Sequence, residues 1–80
     1  MAKIYSRVLQ DAGKELGRAL RKYSKMHSAH EGYAVILEEL DELKGEVWKK
    51  QKKRNAARMR KEAIQVAVMA LRFAMDVCDR

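Results

Sequence analysis

Glu39 and Glu42 stand three residues apart in the run Glu38-Glu39-Leu40-Asp41-Glu42. On a helix that spacing projects both carboxylates from one face. A third acid, Glu62, lies where the chain is turning apolar, and in a helix it would point the same way as Val66, Met69 and Phe73. Burying an unpaired carboxylate costs several kcal/mol, so Glu62 needs a cation or a donor. If the two segments pack antiparallel, Glu62 approaches Glu39 and Glu42, and a hard divalent cation relieves their repulsion. Mg²⁺ takes oxygen ligands and keeps waters that phosphate oxygens replace. Inward carboxylates on facing helices are one way that bundles build such sites. The plainer reading is a solvated acidic face, with Glu62 paired to Arg58 or Lys61.

A second constellation is basic. Lys49, Lys50, Lys52, Lys53, Arg54, Arg58, Arg60 and Lys61 place eight positive charges in thirteen residues without an acid. Three readings fit: a solvated loop, a guide that draws a polyphosphate towards the carboxylates, or a nucleic-acid patch over residues 49–61. No aromatic residue interleaves the run, which argues against a stacking platform for single strands. His27 and His30 sit at a helix start, where capping or solvent contact is the ordinary fate. Tyr33 and Trp48 read as core or interface residues.

These groups need helices to hold them. The 80 residues make one domain, without proline and with only four glycines, a helix-former's composition. The net charge of +7 favours anionic partners. One cysteine, Cys78, rules out an intrachain disulfide and reads as a small buried residue. The longest apolar-rich stretch, Ala63 to Cys78, contains Gln65, Arg72 and Asp76 and is too short for a membrane span of roughly 20 residues. No signal-like segment opens the chain. The expectation is a soluble, cytoplasmic protein with no membrane partner.

Three helices are predicted. The first runs from about Lys3 to Tyr23, with Ile4, Val8, Ala12, Leu16, Ala19, Leu20 and Tyr23 in one stripe. The second starts at the capping box Ser28-Ala29-His30-Glu31 and runs to about Lys50. The third starts at an Asn55 N-cap and reaches about Val77. Between Ala63 and Cys78 its apolar residues surround the cylinder, which predicts burial on all sides. Two other helices cannot cover that much surface. The fold class is therefore all-α, a three-helix subunit that assembles into a helical bundle as a homodimer or homotetramer.

The stretch from His27 to Val77 resembles the MazG-like branch of the all-α nucleoside triphosphate pyrophosphohydrolases, in particular short phage and bacterial members. That group carries E-x-x-E on one helix and E-x-x-D on the next. Glu39-Leu40-Asp41-Glu42 fits the first half, preceded by Glu38, and Glu62-Ala63-Ile64-Gln65 fits the second except at its last position. The resemblance implies hydrolysis of an NTP or dNTP to the monophosphate and pyrophosphate with Mg²⁺, or Mn²⁺ in its place. It implies Glu39, Glu42, Glu62 and Gln65 as the metal shell and Glu38 as the residue that orients or activates water. Lys53, Arg54, Arg58 and Lys61 become candidates for substrate binding. Gln65, where the group has Asp, leaves three of four expected anions. A non-enzymatic helical protein that binds nucleic acid or a protein through its basic segment is the alternative.

Overall fold

The computed structural model describes residues 2–80. Helix α1 spans Ala2–Lys22, α2 spans Ala29–Val47 and α3 spans Ala56–Phe73; α3 continues through a wider π-turn at Ala74–Cys78. The local signals that start α2 and α3 are physical caps. Ser28 Oγ accepts from the Glu31 N–H at 3.1 Å, and Asn55 Oδ1 accepts from the Arg58 N–H at 3.1 Å. The Glu31 carboxylate reaches back one residue further than a standard capping box requires, to the His27 N–H at 3.3 Å. Helix α2 stops three residues before Lys50, and the basic connection contains a short 3₁₀ turn, Gln51–Lys53. No helix is long and apolar enough to cross a membrane.

Helix α3 is the shared partner. Both α1 and α2 pack along it and barely touch each other. Helix α2 runs antiparallel to α3, with Gly32 against Phe73 at one end and Glu42 near Glu62 towards the other. At Gly32 the helices approach so closely that a Cβ would stand 2.5 Å from Phe73 Cδ2. Helix α1 runs parallel to α3, as its cross-links Asp11–Arg60 and Glu15–Gln65 show. The core is small: Ala19, Met26, Val68 and Met69, with Leu16, Val35, Ile36, Ile64, Phe73 and Val77 packed around it.

The expected burial of α3 on all sides is not achieved within one chain. Val68, Met69, Arg72 and Asp76 face inward, while Ala63, Ala67, Ala70, Leu71, Ala74, Met75 and Cys78 form an exposed stripe without charge. Cys78 is thus exposed rather than buried, because it lies on this outer stripe. Helix α1 also projects beyond its anchor at Asp11. Ile4, Tyr5 and Leu9 on this projecting part are more than half exposed. The radius of gyration is 13.7 Å, against roughly 12 Å for a compact chain of this length. The accessible surface is 6286 Å², where a compact monomer of this mass shows roughly 5000 Å².

Candidate functional site

The antiparallel pairing of α2 and α3 brings Glu39, Glu42 and Glu62 together, each offering an oxygen within 4.8 Å of the others. Glu39 and Glu42 share a face because they are one helical turn apart. Glu62 meets them from the facing helix. Neither Arg58 nor Lys61 forms a salt bridge with it, and among the described residues none of the three carboxylates has one. One carboxylate oxygen of Glu62 is buried without a hydrogen-bond partner. Glu46, on the same side of α2, is engaged by Lys49 Nζ at 2.9 Å.

The electrostatics are those of crowded like charges. Burial, followed by the nearby charge of Glu42 and a proton shared with it, pushes Glu39 up to about 7; Glu62 and Glu38 add to the effect. Glu62 is also raised, first by burial and then by hydrogen bonding with Glu42, while the Lys61 charge opposes the shift. Without a cation the cluster holds protons at a pH where isolated glutamates are ionised. Three convergent carboxylates, one of which carries an orphaned oxygen, fit the hard-oxygen chemistry of Mg²⁺ or Mn²⁺.

Gln65 is engaged from helix α1. Its amide nitrogen donates to Glu15 Oε1 at 2.7 Å. Glu15 also accepts from Arg18 Nη2 at 2.7 Å. The hydrogen bond from Arg18, and next that from Gln65, hold the Glu15 carboxyl below the usual glutamate range. Glu15, Gln65 and Glu39 share the wall of a small cavity of about 30 Å³. Glu15 escaped the sequence reading because its one local signal, the i, i+3 spacing to Arg18, reads as a surface ion pair.

Beside Glu39 opens a larger cavity of about 300 Å³, lined by Tyr23, Ser24, Met26, Glu31, Val35, Glu38, Met69 and Arg72. It places the exposed Glu38 near the trio. At its far wall Arg72 is only 4 % exposed. Arg72 Nη2 donates to the Ser24 carbonyl at 2.6 Å and lies 3.9 Å from Asp76 Oδ2. Asp76 in turn accepts from the Met26 N–H at 3.0 Å. This pair fastens the α1–α2 linker to the end of α3, and Asp76 belongs to it rather than to the acidic trio.

The basic candidates scatter. Arg54 Nε donates to the Val47 carbonyl at 2.8 Å, and Lys53, Arg58 and Lys61 are exposed on the connection and the first turns of α3. Lys61 is sequence neighbour to Glu62 and acts on it through its charge. Tyr33 and Trp48 are exposed, at 63 % and 74 %, not packed in the core of the chain.

No known protein family matches the chain, and neither curated proteins nor solved structures include a detectable relative.

Proposed function

We propose that the chain is a divalent-cation-dependent nucleotide pyrophosphohydrolase of MazG-like type, converting an NTP or dNTP to the monophosphate and pyrophosphate in the cytoplasm. The observation that carries this reading is the convergence of Glu39, Glu42 and Glu62 with an orphaned buried oxygen and raised proton affinity. These three would hold Mg²⁺ or Mn²⁺, which when bound supplies charge to polarise the phosphates. Glu38, on the wall of the adjoining cavity, orients and deprotonates the attacking water. Gln65, whose amide nitrogen is taken by Glu15, has only its amide oxygen to offer a metal. The cavity beside Glu39 receives the nucleoside, with Tyr23, Met26 and Met69 offering apolar wall. Lys53, Arg54, Arg58 and Lys61 draw the triphosphate in by long-range attraction.

The subunit works as a homodimer or homotetramer. Its surface exceeds that of a compact monomer by about 1300 Å², and covering that much on each of two copies lies in the range of stable dimers. The uncharged outer stripe of α3 and the projecting start of α1 are the faces a second copy would cover.

A screen of the purified protein against all NTPs and dNTPs with Mg²⁺ or Mn²⁺, scored by pyrophosphate release, tests the activity. Turnover that Glu62→Gln abolishes is the expected result; no turnover of any nucleotide by the parent protein overturns the reading. Light scattering at micromolar concentration tests the assembly, and a stable, well-folded 9.3 kDa monomer refutes it.

A further inference from the structure

Trp48 is the most exposed large hydrophobic residue among those described, at 74 %. It does not dangle. Its N–H caps α2 by donating to the Lys44 carbonyl at 2.9 Å, and Arg54 folds the following connection back onto the Val47 carbonyl. Val47, Trp48 and Arg54 together line a shallow open cleft. The Lys44 ammonium lies 5.6 Å from the centre of the indole, over one face. An indole this exposed offers ring surface on which another ring can stack.

The charges around it are unusually free. Of the eight cations between Lys49 and Lys61, Lys49 is paired with Glu46 and Arg60 with Asp11, while no salt bridge engages the other six among the described residues. Residues 50–58 are all exposed. The structure therefore supplies what the linear run lacks, an aromatic face at the edge of a cationic track. We propose that the α2–α3 connection binds single-stranded nucleic acid, with one base stacked on Trp48 and the backbone phosphates neutralised by Lys50, Lys52, Lys53, Arg54 and Arg58.

A stacked base with adjacent phosphates matches one indole among many cations. A duplex keeps its bases inside and offers the ring little. A membrane surface calls for a broad apolar face beside the basic one, and from Lys49 to Arg58 the only apolar residues are Ala56 and Ala57. No residue of the acidic trio takes part, so this binding needs neither divalent metal nor hydrolysis.

Trp48 is the sole tryptophan, so its fluorescence reports directly on the contact. The probe is an oligodeoxythymidylate of about ten nucleotides, within the length that small single-strand sites cover, titrated in EDTA at low salt. Quenching of Trp48 is expected, and affinity should fall steeply as salt rises because counterions are released. Trp48→Ala, followed with a labelled oligonucleotide, should bind roughly 5- to 100-fold more weakly, and Trp48→Phe should recover part of the loss. Lys52→Glu with Lys53→Glu should weaken binding and flatten the salt dependence. Glu62→Gln should bind like the parent, which separates this site from the proposed hydrolase. Any of four results overturns the inference: no quenching by the oligonucleotide, unchanged binding by a folded Trp48→Ala, equal binding and quenching with a duplex, or a response only to phosphatidylserine vesicles or polyglutamate.

Discussion

Two groups of ionisable side chains lie against the same helix, and they are built on opposite rules. Near the end of α3, Arg72 and Asp76 are nearly fully buried, opposite in charge, and joined to the backbone at Ser24 and Met26. Ten residues earlier, about 15 Å along a helix, Glu62 faces Glu39 and Glu42 with no counter-charge. The first arrangement balances its charge within the chain, although Arg72 Nε is left without a hydrogen-bond partner; its role is to hold the α1–α2 linker in place. The second is stable as drawn only if it takes up protons or a cation. Buried charge alone thus does not mark a functional site. Carboxylates of one sign without a counter-charge, here half-buried Glu39 and Glu62 with exposed Glu42, are the arrangement that leaves room for an outside cation.

Breaking the oppositely charged pair should produce the largest effect. Asp76→Ala leaves Arg72 buried without its counter-charge and the Met26 N–H without an acceptor, and a loss of about 3–5 kcal/mol is expected. For a chain this small that exceeds a ten-degree fall in melting temperature, or outright unfolding, seen by circular dichroism. The double variant Arg72→Met with Asp76→Leu should recover part of the loss, because apolar replacement of both partners is far less costly than orphaning one. An Asp76→Ala protein as stable as the parent would erase the contrast.

The like-charged cluster should respond to metal where the pair does not. Millimolar Mg²⁺ or Mn²⁺ should raise the melting temperature, by about 2.7 kcal/mol of stability if the free metal exceeds its Kd a hundredfold. EDTA should reverse the gain. In Glu62→Gln the metal response should disappear while the metal-free protein becomes more stable, since one of three repelling charges is gone. A parent protein indifferent to both metals contradicts the metal reading.

Protons give a finer measure. The folded protein holds Glu39 near 7, above its unfolded value of about 4.5, so its contribution to stability is present below pH 4.5 and is lost as the pH rises through 7. Allowing for solvent screening of a half-buried group, the loss amounts to about 1–2 kcal/mol. Denaturant titrations in EDTA should show this decline, and Glu39→Gln should flatten it. A parent curve that is level between these limits would mean that Glu39 is neither desolvated nor crowded by its neighbours.

The smallest effect is expected at Gln65. Gln65→Asp removes the donor to Glu15 and sets two carboxylates together, costing about 1 kcal/mol without metal. Metal affinity should rise if the new charge reaches the trio. Glu15→Gln in the same chain should restore the metal-free stability, and failure to do so would place the cost elsewhere.

Much of the trio was legible in the sequence. The i, i+3 spacing of Glu39 and Glu42, the capping signals at Ser28 and Asn55, and the inward setting of Glu62 follow from helical periodicity alone. The Glu15–Gln65 contact was not, because it depends on how α1 is rotated about its own axis, which Ala12 and Ala19 fix only by packing. Arg72 and Asp76 read as interruptions of an apolar stretch, since nothing local reveals that a linker 48 to 50 residues earlier supplies their partners. The fate of Cys78 and the outer stripe of α3 could not be judged from apolar character, which marks a face for burial without saying whether one chain can bury it.

Because α1 and α2 each lean on α3 and scarcely on each other, the order of synthesis matters. On the ribosome the first two helices emerge before α3, the surface both pack on, and most of a protein helix's stability comes from such packing. Neither helix finds its partner until α3 is released. Nearly all of its long-range contacts then form together, in one late cooperative step.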